Sequence, residues 1–340
     1  MKSLMLEEAF SAPDWVAVHI NENAGRYRTV GAILREHATR NVVTVARGSS
    51  DHAASYFSYL AAVRGGNLVT SLPMSLLTLY NAPIPADGLI AVSISQSGRS
   101  PDLIAPIKRF RDGGGKTVAL VNDIASPLAE ASEWAIPLHA GPERSVAATK
   151  SFICSLVGSA ALVAAWCDDD SFMQQLKTLP GALHDARTQD WSVAVDVLKA
   201  SQRIMVIGRG TGLAIAQEAA LKFKETCAIQ AEAFSGAEVK HGPMALVDDG
   251  YPMLIFAPRG PAQEGLRDLA KEMRVRGALV LLAAPSDVPE RDLTLTTTAN
   301  EDLDPIAAVQ SFYMMVEKLA RTRGYDPDKP RHLNKVTSTL

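Results

Sequence analysis

Leu89-Ile-Ala-Val-Ser-Ile-Ser-Gln-Ser-Gly-Arg-Ser-Pro-Asp102 decides how this sequence folds. Its first six residues form an apolar, β-branched run, the pattern of a strand buried on both faces. Ser95, Gln96 and Ser97 then crowd hydroxyl and amide side chains beside Gly98. Ser100 is placed to cap a helix, Pro101 to take its first position, where a missing N–H costs nothing, and Asp102 to sit in its first turn. The stretch therefore reads as strand, hydroxyl-rich turn and helix start. Free backbone N–H groups and the positive end of a helix dipole make such a turn an anion site, and phosphate is the natural guest. Hydrogen bonds to a charged partner contribute about 1.5–3 kcal/mol each, so a handful would hold a small phosphorylated metabolite. A polar turn that only caps a helix has the same composition. The turn lacks both the Gly-Lys-Ser/Thr of a nucleotide-binding loop and a dinucleotide fingerprint.

Further strands are expected at Asn41–Ala46 and Thr117–Val121, with Arg47-Gly48-Ser49-Ser50 opening a helix that runs through Ala62. Strands alternating with helices imply a parallel sheet covered on both faces. The second half repeats the first. Gly48 and Gly210, Gly98 and Gly260, and Gly115 and Gly277 are each 162 positions apart and each flank a strand-like run. Two copies of one α/β unit follow, joined near residues 168–190, where Asp168-Asp-Asp170 and Pro180-Gly181 suggest a linker. The domain expectation is a helical segment at 1–25, broken at Pro13 and ending near Asn23, then units at 26–170 and 190–324 and a tail at 325–340. The second copy carries Ala257-Pro-Arg-Gly260 where the first has its serine loop, so only the first is equipped for phosphate.

With 340 residues the chain can bury two cores, and 47% apolar with 21% charged residues describes a soluble globular protein. A net charge of −3 without a basic stripe argues against nucleic acid. Three widely spaced cysteines fit a reducing cytoplasm, and the acidic Met1-Lys-Ser-Leu-Met-Leu-Glu-Glu start is no export signal. Phe152–Trp166 is the most apolar segment, too short and too interrupted to span a bilayer, and reads as a buried helix. Seven scattered histidines show no metal-ligand spacing, so neither metal nor organic cofactor is expected.

Ionisable residues concentrate in the second half. The helix expected over Leu213–Cys227 carries Glu218, Lys222, Lys224 and Glu225. Lys222 and Glu225, three apart, share a face, where the lysine would hold the carboxylate ionised as a base. A solvated, salt-bridged face would have the same spacing. His241 falls on an expected loop in Ala231–Pro243, where an imidazole can shuttle protons near neutral pH. After a helix that Gly324 ends, the tail Tyr325–Leu340 contains two prolines and Lys335, an amine able to form a Schiff base if the tail does not simply fray.

Together Ser95-Gln-Ser-Gly98, Ala140-Gly-Pro-Glu143, Thr149-Lys150, Ala220-Leu-Lys-Phe-Lys-Glu225, Gly236–Pro243 and Lys329-Pro-Arg-His-Leu-Asn-Lys335 resemble two tandem SIS (sugar isomerase) domains, as in the isomerase half of glucosamine-6-phosphate synthase. The resemblance covers essentially the whole chain. It implies two flavodoxin-like three-layer α/β sandwiches, each a parallel sheet flanked by helices. It also implies phosphate contacts from Ser95, Gln96, Ser97 and Ser100 with Ser49 and Ser50 alongside, and substrate contacts near Glu143, Asn334 and the Val146 backbone. Glu225 would move a proton between C1 and C2 with help from Lys222, His241 would open the ring from the neighbouring subunit of an obligatory dimer, and Lys335 would form the Schiff base. Arg99 stands where the family carries an acidic residue, and Asn334 replaces a small apolar one. The synthase's glutaminase half and its N-terminal cysteine have no counterpart, since position 2 is Lys.

The expectation is a cytoplasmic deaminase that converts glucosamine 6-phosphate to fructose 6-phosphate and ammonia, as single-module relatives do. Alternatives are a fructosamine phosphate deglycase, a galactosamine-6-phosphate deaminase, an aldose-ketose isomerase, an aminotransferase borrowing a separate glutaminase, or a non-catalytic sugar-phosphate sensor. About 25 residues precede the first strand-helix unit, too few for the helix-turn-helix of a DNA-binding sensor.

Overall fold

The computed structural model describes residues 2–37 and 41–335. The end of the tail, residues 336–340, lies outside them. Two short-range features open the chain: α1 (Leu4–Phe10), capped by the Ser3 hydroxyl, and α2 (Ala12–Glu36). The helix break falls at Ser11, one residue before α2, and not at Pro13. Pro13 is the second residue of α2, where no intrahelical N–H bond is lost, so the helix continues well past Asn23.

The first sheet is built from β1 (Asn41–Val45), β2 (Val69–Ser71), β3 (Leu89–Ser95), β4 (Lys116–Val121) and β5 (Trp134–Pro137). Between them run α3 (Ser49–Gly65), α4 (Ser75–Thr78), α5 (Pro101–Asp112) and α6 (Pro127–Ala131), and α7 (Lys150–Trp166) and α8 (Asp170–Leu176) follow. Every pairing is parallel, in the order β2-β1-β3-β4-β5. All seven residues of β3 are buried, as a central strand covered on both faces requires. In α7 every residue but Ala165 is buried, which explains its nearly uncharged sequence.

α9 (Leu179–Ala186) and α10 (Ser192–Leu198) precede the second sheet. The expected linker near 168–190 is thus largely helical. Asp169 caps α8 by accepting the Phe172 N–H, and Pro180 sits in the first turn of α9, a position that proline tolerates. The second sheet contains β6 (Arg203–Gly208), β7 (Gln230–Ser235), β8 (Pro252–Phe256), β9 (Leu279–Pro285) and β10 (Leu293–Leu295), with α11 (Gly212–Cys227), α12 (Gln263–Val275) and α13 (Asp304–Thr322). Its order, β10-β9-β8-β6-β7, is that of the first sheet read from the other edge.

The internal repeat is therefore real at the level of topology, with one correction in register. Gly277 follows α12 at φ +90°, and the glycine in that conformation after α5 is Gly114, also at +90°, rather than Gly115. Each is the left-handed residue closing a helix, so the conformational match is 163 positions.

By contacts the described residues form two compact units. Residues 14–37, 41–143, 150–177 and 334–335 surround the first sheet; residues 2–13, 144–149 and 178–333 surround the second. Among the described residues no helix is long and apolar enough to cross a membrane.

Candidate active site

In the first unit, β1 and β3 are parallel neighbours from which the strand order runs off in both directions, the switch point where open α/β sheets receive ligands at the carboxyl ends of their strands. Both marked turns lie there. Gly48, at φ +53°, leads into α3, whose first two residues are the half-buried Ser49 and Ser50. Ser95 ends β3 and its hydroxyl accepts the Gly98 N–H at 3.0 Å, while the Ser97 hydroxyl accepts the Arg99 N–H at 3.3 Å. Gly98 has φ +64°, and a Cβ there would come within 2.1 Å of Ser126 Oγ, so a side chain is excluded twice over. Gln96 and Ser97 are half-buried. Ser100 occupies the N-cap position of α5 with Pro101 behind it, but its hydroxyl makes no capping bond. The guanidiniums beside the loop are paired: Arg47 with Asp102 and Arg99 with Asp123, both at 2.9 Å.

Glu143 and Lys335, 192 positions apart, meet at 3.2 Å. The glutamate is buried and also accepts the Ser151 N–H at 3.1 Å and the Ser151 hydroxyl at 2.6 Å. The segment leading to Glu143 is held from three sides. The Asn122 amide accepts the Ala140 N–H and donates to the Gly141 carbonyl, Asn23 donates to the Pro137 carbonyl, and the His19 ring bonds the Leu138 carbonyl at 2.8 Å. Burial pulls the His19 pKa down to about 4, so the ring is neutral, donating through Nδ1 and accepting the Tyr27 hydroxyl at Nε2. Asn334 is exposed next to the half-buried Lys335.

In the second unit, the spacing of Glu218, Lys222 and Glu225 brings all three to one face of α11. Lys222 Nζ lies 2.6 Å from Glu225 Oε2 and 3.3 Å from Glu218 Oε1. From α13, the buried Tyr313 hydroxyl donates to the same Glu218 oxygen at 2.9 Å. Burial alone would lower the Lys222 pKa, but the Glu218 and Glu225 carboxylates outweigh it and hold the ammonium above lysine's ordinary value. Glu225 is the member open to solvent, 19% exposed. It lines a cleft of about 610 Å³ together with Lys224, Tyr325, Lys329, Arg331 and His332.

His241 is not on a loop but ends a 3-10 turn, Glu238–His241, and is exposed, while its neighbour Lys240 pairs with Glu272 at 2.7 Å. Val146 is half-buried within residues 144–149. At the position of the serine loop, this unit instead holds the Arg259 guanidinium against the buried Asp304 carboxylate at 2.7 and 2.8 Å. The second copy thus carries a guanidinium–carboxylate pair where the first carries hydroxyls.

The structure brings together the serine loop with the Gly48 turn, Glu143 with Lys335, and Lys222 with Glu225. Sequence reasoning placed Glu218 on the helix without giving it a role, although its spacing of four from Lys222 was the available signal. Tyr313 and Glu8, which meets the 144–149 run, carried no local signal at all. Among the described residues no group of three or more His, Cys, Asp or Glu is arranged to hold a metal ion.

Comparison with known proteins adds to this geometry. A family model described as the SIS domain matches residues 37–165 and 197–319. A glutamine–fructose-6-phosphate aminotransferase (isomerizing) of Pyrobaculum aerophilum is 33% identical over 98% of this chain, which spans 57% of that relative's length. Among solved structures, a protein of Silicibacter pomeroyi assigned to the phosphosugar isomerases is 40% identical with a TM-score of 0.91, covering 96% of this chain and 100% of its own. A glucosamine-6-phosphate deaminase of Thermotoga maritima shares the fold, with a TM-score of 0.79 at 22% identity over 99% of this chain and 100% of its own.

Proposed function

Because the chain belongs to the SIS-domain family, whose model matches segments spanning both sheets, we propose that it is a phosphosugar isomerase working as a glucosamine-6-phosphate deaminase. The observation that carries this reading is the buried Glu218-Lys222-Glu225 cluster with one carboxylate open to a cleft. Two formal carboxylate charges against one ammonium favour a sugar phosphate bearing an amino group over one without it.

In this reading the N–H groups and hydroxyls of Ser95, Gln96, Ser97 and Ser100, with Ser49 and Ser50, hold the sugar phosphate. The backbone at Val146 and the side chain of Asn334 contact the sugar, and the buried Glu143 acts on it through Lys335. His241, exposed on its own subunit, acts on the ring of a sugar bound to a second copy, taking the O1 proton and returning one to the ring oxygen as the ring opens. Glu225 removes the C2 proton and delivers it to C1 while the C2 nitrogen gives up one proton and O1 gains one, turning the C1 aldehyde with its C2 amine into a C1 alcohol with a C2 imine. Lys222 fixes the carboxylate and screens its charge. The Lys335 amine, its proton passed to Glu143, adds to C2 and expels ammonia; water then cleaves the resulting Schiff base to leave fructose 6-phosphate. Each step conserves its protons, and the net change consumes one water. The enzyme would act as a homodimer in the cytoplasm.

A second reading is supported by the aminotransferase relatives: the same steps run in reverse, with ammonia supplied by a glutaminase. Offering purified protein glucosamine 6-phosphate, galactosamine 6-phosphate and fructosamine 6-phosphate in parallel decides between them. The deaminase reading expects ammonia and fructose 6-phosphate from the first. No release from any of the three, with glucosamine 6-phosphate formed only from fructose 6-phosphate and glutamine in the presence of a glutaminase, contradicts it.

A further inference from the structure

The first helix makes contacts that its short length does not require. Glu8 of α1 is 7% exposed, and its carboxylate accepts the N–H groups of two consecutive residues, Arg144 and Ser145. Ser145 reaches both oxygens, at 3.4 and 3.2 Å. A buried carboxylate offered to successive N–H groups is a stiff connection, since hydrogen bonds to an ionised acceptor are shorter and stronger than neutral ones. The helix that carries Glu8 is itself fixed at both ends. The Asp328 carboxylate accepts the Leu4 and Met5 N–H groups at 2.8 and 2.7 Å, Ser3 donates to Glu317 at 2.6 Å, and the Gln310 amide donates to the Ala9 carbonyl at 3.0 Å. Ser145 and Ala147, on either side of Val146, are buried.

We propose that Glu8 is a positioning residue that sets the backbone of residues 144–147, and through it the contacts that Val146 offers the sugar. The proposal rests on the reading of Val146 given above. Glu8 touches no reacting atom in this scheme. Its effect is on the hold on the sugar and not on the hold on the phosphate, whose binding groups lie on the serine loop and the Gly48 turn.

The test is Glu8→Gln, which keeps the shape of the side chain but leaves one acceptor oxygen for two donors. Steady-state kinetics with glucosamine 6-phosphate are compared with competitive inhibition by inorganic phosphate. The expected result is a KM raised about tenfold, a kcat within about twofold of wild type and an unchanged inhibition constant for phosphate. General loss of structure would move the phosphate constant as well. An unchanged KM, or equal changes for sugar and phosphate, overturns the proposal. If Glu8→Gln does not yield folded protein, Asp328→Asn loosens the same helix: a rise in KM alone supports the clamp, and an unchanged KM overturns it. Wild-type protein silent on all amino-sugar phosphates would count against the proposed function. An active wild type with an indifferent Glu8→Gln variant would count against the clamp alone.

Discussion

The Lys222 ammonium sits 2.6 Å from the Glu225 carboxylate, with the lysine almost wholly buried and the carboxylate partly open to solvent. Glu218, entirely buried, holds the other side of the same ammonium. Removing the cation while its partners stay in place leaves a buried carboxylate uncompensated, which costs about 3–5 kcal/mol. Lys222→Met is therefore expected to lower stability by that order in urea unfolding, and to abolish turnover. The pH dependence follows from the raised lysine pKa. The folded state keeps this proton above the unfolded value of about 10.4, so the contribution is complete below that pH and is lost as the pH rises toward the folded pKa. Unfolding at pH 9 and pH 11 should show a steeper alkaline loss for wild type than for Lys222→Met.

His19 gives a dependence of opposite sign. It is fully buried and neutral, with its pKa lowered to about 4 by desolvation, whereas in the unfolded chain it titrates near 6.5. Between these values the unfolded chain binds more protons, so stability falls as the pH drops through the window. The full shift corresponds to about 3 kcal/mol, about 2 of which are lost between pH 7 and pH 5. The difference in unfolding free energy between wild type and His19→Gln should change by that amount, to the disadvantage of wild type, from pH 7 to pH 5. Parallel behaviour of the two proteins would mean that the ring is not neutral in the folded state.

Lys335 is held by Glu143 and is a quarter exposed, so a carbonyl substrate can reach it. Borohydride added with fructose 6-phosphate should fix one sugar phosphate on the wild-type chain, seen by mass spectrometry at Lys335. Lys335→Met should stay unmodified. An adduct formed on that variant at the wild-type rate would place the Schiff base on another lysine.

How far the sequence revealed this molecule depended on distance along the chain. β3 and β4 were legible because burial on both faces makes them nearly continuous apolar runs, and the glycine repeat announced two like units. Edge strands such as β2 and β10, three residues each, carry too little pattern to be read. The Pro180-Gly181 pair looked like a linker because proline and glycine break helix interiors, yet proline in a first turn does not. In the site, Lys222 and Glu225 were legible through helical spacing. Tyr313 with Glu218, Glu143 with Lys335, and Glu8 with Ser145 were not, since each joins residues that only the tertiary fold brings together. Arg259 and Asp304, 45 positions apart, likewise showed nothing locally of the ion pair they form.

The measurement bearing most directly on the proposed chemistry compares Glu225→Gln with wild type, both in turnover of glucosamine 6-phosphate and in calorimetric binding of the same compound. A carboxylate acting as the base contributes about 10²–10⁴ in rate, whereas the phosphate contacts lie on other residues. The expected result is turnover reduced by at least that factor with binding retained within a few-fold. A Glu225→Gln protein that releases ammonia at the wild-type rate would contradict the assignment of the proton transfer to α11.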